Sequence, residues 1–357
     1  MLLRARFQHH GEHVKLSRIL QFICGIVLAA AGLFIFFRKV DTHKLVSELL
    51  SCSPLTIILC AGFAVGSLIF RSLRWNIMLP ANAAWSKKGL FSIVAVAFML
   101  NNILPARIGE VARVVLLWKK NGYSPAVSIG SVVLERIIDL LAFMACFFVP
   151  VFFIDSMQTT TVGPTSSTGL KNLTLHTFAL VLCGIFVLAL VAFFLYARFP
   201  GLVRRNGKKL AALLPRSIQI KANKIAGEVL LNLHWASSVR KSVQVFFHTA
   251  LIMLCYAGMI IALTHDPRFG LLHGLFANAF SALGAAIPLA PGYVGTLHAV
   301  LLQGLLFCGL SREKATAVTI LYHAIGYITV TIIGLYFYFK MQVKVKEISE
   351  AEKVINA

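Results

Sequence analysis

"NNILPARIGEVAR", residues 101–113, interrupts a chain that is otherwise close to continuous hydrocarbon. Two asparagines, a proline, a glycine, a glutamate and two arginines stand where hydropathy alone would draw a membrane helix. An ionised side chain at the centre of a bilayer costs roughly 3 kcal/mol on insertion scales, so it persists only beside a partner or a wet cavity. How this stretch is accommodated decides the architecture.

The surroundings fix the class. Of 357 residues 58% are hydrophobic and 13% charged, and the mean hydropathy is +0.82. A soluble domain carries roughly 25% charged residues, so the composition predicts an all-α polytopic membrane protein. Apolar runs long enough to span, at ~20 residues for a ~30 Å core, lie at 18–37, 55–79, 126–154, 174–196, 246–264 and 315–339. These are six full spans. Two further apolar regions, 90–118 and 271–309, are broken near their middles by "NNILPARIG" and "AAIPLAPGYVG". Pro105 and Gly109 break the first; Pro288, Pro291, Gly292 and Gly295 break the second. Neither half is long enough to cross alone, so each region is expected to dip in and return as a re-entrant hairpin.

The formal net charge of +21 would point to nucleic acid in a soluble protein. In a membrane protein the positive-inside rule and anionic headgroups account for it, and no nucleic-acid partner is expected. Residues 198–241 hold ten Lys and Arg against Glu228. A basic loop over 197–245 is therefore placed in the cytoplasm, either as amphipathic helices on the inner leaflet or as a solvated connector. The amino-terminal arm and the tail after Lys340 agree, which puts both termini inside. Arg38, Lys39 and Lys44 fall on the outer side and read as snorkelling side chains. The first apolar run is longer than a signal-peptide core and reads as a retained anchor. The seven cysteines are scattered and read as small hydrophobes.

With this orientation the unit span–hairpin–span occurs twice, inverted, at 55–154 and 246–339, inside one membrane domain covering 1–357. "PARIGEVARVVLL" from Pro105 lies over "PGYVGTLHAVLL" from Pro291, matching Pro105 and Gly109 to Pro291 and Gly295. Interrupted segments at corresponding positions of inverted halves mark a transporter's binding site.

The polar residues then divide by position. Asn101 and Asn102 precede the first break. A helix starting near Arg107 presents free amides and a positive end that suit a phosphate. Arg107, Glu110 and Arg113 follow at steps of three and read as one face. Either arginine can clasp a phosphate, while Glu110 holds an arginine or binds an amine; the alternative is that they only neutralise one another. Glu135 and Asp139, with Arg136 beside them, lie about ten residues into a span, as structural ion-pair partners or as coupling carboxylates. Arg71 and Arg74 read as snorkelling or gripping an inner-leaflet headgroup, with Trp75 in the interfacial belt. His298 and His323 are the titratable groups of the second half, as core residues or as coupling groups. Neither a zinc-type spacing nor a G-x-S-x-G, Walker or H-E-x-x-H motif is seen, so no metal, cofactor or catalysis is expected.

Taken together, "RSLRW", "NNILPARIGEVAR", "ERIIDL" and the late P..PG..G break resemble the lysylphosphatidylglycerol synthase transmembrane-region family, also called flippase-like integral membrane proteins. The resemblance spans about 15–340 and implies a bacterial or archaeal inner-membrane protein that moves a lipid between leaflets: aminoacyl-, glycosyl- or polyprenyl-linked. It also implies a polar core of Arg107, Gly109, Glu110, Arg113, Glu135, Arg136 and Asp139, opposed by Pro288, Pro291, Gly292 and Gly295. Two departures stand out. Tyr293 replaces the second glycine of the late motif, and His298 and His323 stand where an acid and an arginine are usual. Long members carry a soluble aminoacyltransferase domain; this chain shows none and is not expected to synthesise lysyl-lipid. The expectation is a translocase for a phosphate-bearing lipid. Its rivals are an ion-coupled transporter of a small polar solute and a scaffold for a lipid-modifying enzyme, which would be its partner.

Overall fold

A computed structural model describes residues 40–81, 86–104, 107–153, 232–286 and 291–343, with single positions or short runs between 27 and 37 and at 184 and 188. The predicted spans 18–37 and 174–196, most of the basic loop, both termini, Pro105 and Pro288 lie largely or wholly outside these residues. Among the described residues all regular structure is helical, in nine bounded α-helices: α1 (Thr42–Leu50), α2 (Pro54–Met78), α3 (Leu90–Ile103), α4 (Ile108–Asn121), α5 (Pro125–Phe153), α6 (Val239–Thr264), α7 (Leu271–Ala286), α8 (Thr296–Phe307) and α9 (Arg312–Lys340).

Local chemistry sets their ends. Ser53 caps α2 by accepting from the Thr56 amide at 3.1 Å, with Pro54 in the first turn where its missing N–H costs nothing. Ser311 caps α9 in the same way through the Lys314 amide at 3.3 Å. Helix α4 stops at Gly122, whose φ of 80° is left-handed, with Lys119 and Lys120 in its last turn opposing the helix dipole. Helices α2, α6 and α9 are long and apolar enough to cross a membrane. Helix α5 has the length, at 29 residues, but carries Glu135, Arg136 and Asp139 in its interior.

The two interrupted regions each form a pair of packed short helices. Helices α3 and α4 have 14 residues each, or about 21 Å at 1.5 Å per residue. Their far ends meet: the Ser86 amide donates to the Asn121 carbonyl at 2.9 Å, and Asn121 Nδ2 donates back to the Ser86 carbonyl at 2.6 Å. The chain thus leaves this hairpin where it entered. A Cβ on Gly109 would collide with the Ala97 carbonyl oxygen, so only glycine lets α4 lie this close to α3. In the second hairpin Cys308 Sγ reaches the His273 carbonyl at 3.8 Å, and Gly304 packs under the Phe280 ring.

These hairpins open toward opposite ends of the long helices. The foot of the first lies beyond the carboxyl ends of α2 and α9: Lys87 Nζ donates to the Leu79 carbonyl and Lys120 Nζ to that of Met341, at 2.7 and 2.8 Å. Burial, with a smaller contribution from Lys241, holds the Lys87 ammonium below the usual lysine range. The second hairpin leaves α6 at His265, whose Nε2 lies 3.1 Å from Thr56 Oγ1 at the start of α2. Its tip reaches the first hairpin halfway along α9. Arg107 Nη2 donates to the Ala285 carbonyl at 2.8 Å, and Gly292 sits against the Asn102 carbonyl and the Tyr327 ring. Asn102 Nδ2 in turn donates to Thr331 Oγ1 on α9 at 3.1 Å.

Candidate functional site

Beneath the meeting tips, α2, α4 and α5 share one ion network. Glu135 and Asp139 are one turn apart on α5; Arg71 and Arg74 are nearly one turn apart on α2. The two pairs cross. Arg71 Nη1 lies 3.0 Å from Asp139, Arg74 Nη1 2.7 Å from Asp139, and Arg74 Nη2 3.2 Å from Glu135. Arg113 of α4 donates to the other Glu135 oxygen, and its guanidinium lies 3.8 Å over the Trp75 ring. Trp75 Nε1 donates to Ser131 Oγ at 3.1 Å, and Arg74 Nη1 to Thr249 Oγ1 of α6 at 3.1 Å. The Arg71 guanidinium lies 5.0 Å from the Phe98 ring centroid and 5.8 Å from that of Tyr256. All five ionised groups are buried, Arg74 completely.

This corrects the interfacial reading of "RSLRW". Arg71, Arg74 and Trp75 are buried rather than interfacial, because α5 supplies two carboxylates at matching helical spacing. A charge pair at that depth is tolerated only when both members are bonded.

A second layer is open. Arg136 Nη2 bonds Glu110 Oε1 at 2.6 Å, and Arg107 Nη1 lies 3.7 Å from the same oxygen. Side-chain exposures are 29% for Arg107, 25% for Glu110 and 38% for Arg136, against 4% for Arg113. The expected single face of Arg107, Glu110 and Arg113 is therefore split. Steps of three fall about 60° short of each full turn at 3.6 residues per turn, so Arg113 has rotated inward by the third position. Arg107 is also not yet helical: it caps α4 in the left-handed region at φ 55°, an uncommon conformation for a side-chain-bearing residue, found more often at functional sites than elsewhere. Asn101 is buried with no partner for its Oδ1.

In the second hairpin the two histidines meet. The Gly295 amide donates to His298 Nδ1 at 3.4 Å, which leaves Nε2–H of a neutral His298 to donate to His323 Nδ1 at 3.4 Å. Gly295 has a φ of 86° and backs onto Gly32, where an added Cβ would lie 2.6 Å from the Gly295 carbonyl carbon. Pro291 and Gly292 form a 3-10 turn with Tyr293, which holds a φ of 60° and lies within electrostatic reach of Arg107, Arg136 and Glu110. Sequence reasoning passed over Tyr293, Tyr256 and Thr249 as contributors. Only Tyr293 gave a signal, as a tyrosine at a position where the resemblance expects glycine.

Among the described residues no group of three His, Cys, Asp or Glu converges as a metal site would require. The arrangement holds an excess of guanidinium in a low-dielectric interior and exposes part of it, and Ile103, Ile137, Leu140 and Leu283, within four residues in sequence of Arg107, Arg136 or Ala285, are exposed as well. That chemistry suits an anionic group on an apolar body.

A relative from Methanocaldococcus jannaschii, a UPF0104 membrane protein, is 24% identical over 257 residues, which cover 71% of this chain and 99% of the relative. The family model for the lysylphosphatidylglycerol synthase TM region matches residues 22–334, a span that holds both hairpins and every charged residue of the site. With the long apolar helices and the ion network carried by their short partners, this match identifies the chain as a multi-pass membrane protein that belongs to the lysylphosphatidylglycerol synthase TM-region family.

Proposed function

We propose that the protein is a lipid translocase of the bacterial or archaeal cytoplasmic membrane, not an enzyme, and that it passes a phosphate-bearing headgroup through the seam between its two hairpins. Both termini lie in the cytoplasm in this reading. The first hairpin enters the bilayer from that side and the second from the other, as the tips of two inverted repeats. The headgroup pairs with Arg107 and Arg136 while its chains stay beside Ile137, Leu140 and Leu283. Alternating separation of the hairpin feet exposes the seam to each leaflet in turn, without a soluble cavity for the chains.

One observation carries the reading: the partly exposed Arg107–Glu110–Arg136 layer sits where the tips meet, halfway along the longest described helices. The experiment is reconstitution of the full chain into vesicles with a fluorescent phospholipid, followed by quenching from outside. Protein-dependent loss of the protected inner-leaflet signal is expected, and Arg107→Gln with Arg136→Gln should abolish it. An undiminished rate in a folded double variant would refute the seam as the path.

A further inference from the structure

The seam carries more positive charge than the chain neutralises. Arg71, Arg74, Arg107, Arg113 and Arg136 face Glu110, Glu135 and Asp139, and among the described residues no other acid enters the network. Guanidinium stays protonated at any physiological pH, and each carboxylate is already paired with an arginine. The surplus is two charges, one in the enclosed layer and one at the rim. Arg136 joins the layers, with Nη1 4.0 Å from Asp139 and Nη2 2.6 Å from Glu110. Donors are also left over: Nε of Arg71, Arg74, Arg107 and Arg113 are buried without an acceptor. Uncompensated charge in a low-dielectric interior is costly, and the layers share that cost across a few ångströms.

A phosphodiester headgroup brings one negative charge and leaves half the surplus standing. A phosphomonoester carries about −1.5 to −2 at neutral pH, and a diphosphate carries at least as much. We propose that the seam selects a dianionic phosphate, monoester or diphosphate, over a phosphodiester. The inference deepens the translocase reading and rests on it for placing that phosphate at the end of a membrane lipid. Free phosphate has the same chemistry. The exposed Ile103, Ile137, Leu140 and Leu283, close in sequence to Arg107, Arg136 and Ala285, favour the lipid source.

The test is binding to the full-length protein in nonionic micelles at pH 8. Phosphatidic acid, phosphatidylglycerol with identical chains, and inorganic phosphate are compared. Phosphatidic acid should bind at least about tenfold tighter than phosphatidylglycerol, the scale of one further charge-assisted contact. Arg136→Gln should bring the two lipids level, while Arg240→Gln with Lys241→Gln, on the basic surface, should leave their ratio intact. Equal binding by the wild type overturns the proposal whether or not the variants fold, as does a preference that survives Arg136→Gln. Displacement of phosphatidic acid by inorganic phosphate at equal concentration overturns the lipid source. Vesicle transport separates this claim from the reading beneath it. Flipping without dianion preference sinks the inference alone; dianion preference without flipping of either lipid sinks the translocase and leaves the binding site.

Discussion

Removing the charge of Asp139 is the sharpest test of the network. Asp139 is 3.0 Å from Arg71, 2.7 Å from Arg74 and 4.0 Å from Arg136, and it is buried. Asp139→Asn keeps the volume and removes one negative charge, so the enclosed layer goes from three arginines against two acids to three against one. Breaking a buried pair from one side costs about 3–5 kcal/mol because the other charge is left stranded. The asparagine amide also turns two donors toward guanidinium groups that have only donors to offer. Arg71→Met in the same background restores the original surplus and fills the space with an apolar chain of similar length. The assay is equilibrium unfolding in mixed micelles with increasing dodecyl sulfate, followed by helix content and tryptophan fluorescence. Asp139→Asn should lose about 3–5 kcal/mol, Arg71→Met alone less, because it leaves two arginines against two acids, and the double variant less than Asp139→Asn. Additive losses, or a loss below about 1 kcal/mol for Asp139→Asn, would show that charge balance does not hold α2 against α5.

The hairpins give further tests. Gly109→Ala drives a methyl into the Ala97 carbonyl oxygen and should cost at least about 3 kcal/mol in the same titration, whereas Gly62→Ala, with nothing within 4 Å, should stay within about 1 kcal/mol of wild type. Trp75→Leu removes the ring beneath Arg113 and the bond to Ser131, and should destabilise by roughly 2–4 kcal/mol, read by the same unfolding curve. Glu48→Gln breaks only the partly exposed pair with Lys314 at 2.9 Å and should change stability by less than about 1 kcal/mol. His298→Gln keeps an acceptor and a donor at the tip; unfolding should move by less than about 2 kcal/mol, while His298→Leu, which strands the Gly295 amide, should cost more.

Much of this was legible because membrane segments declare themselves by length. The sequence reading put two breaks at the right places: α3 and α4 flank residues 104–107, and α7 and α8 flank 287–295. Their antiparallel return follows from helices too short to cross. The partners were harder to see. Arg71 lies 68 residues from Asp139, and hydropathy says nothing about which apolar helix adjoins which. Interfacial placement was the natural reading for two arginines beside a tryptophan near a helix end. What it omitted was the complementary spacing, Arg71/Arg74 at three residues and Glu135/Asp139 at four, which brings both pairs to the crossing of two helices.

The same spacing argument explains why the hairpins differ. Helix α4 turns Arg113 inward and leaves Glu110 at the rim, so the first hairpin is tied to α2 and α5 by charge. The second has no ionised group at its tip among the described residues. Glycine closes its two helices on each other, Gly284 against Leu297 and Gly304 against Phe280, and brings its tip, through Gly292, against Asn102 and Tyr327. Close-packed apolar contacts slide at lower cost than buried ion pairs break, since removing one buried charge partner costs several kcal/mol and no such step is needed here. If the tips separate during a cycle, the second hairpin is the element that moves, and the Arg107 bond to the Ala285 carbonyl is a polar contact between the tips that must be released. Cysteines placed across Asn102 and Gly292 should therefore block transport when oxidised and restore it when reduced. A pair within the enclosed layer, which stays assembled throughout, should not gate anything; transport that stopped only on locking α4 to α5 would place the motion in the first hairpin instead.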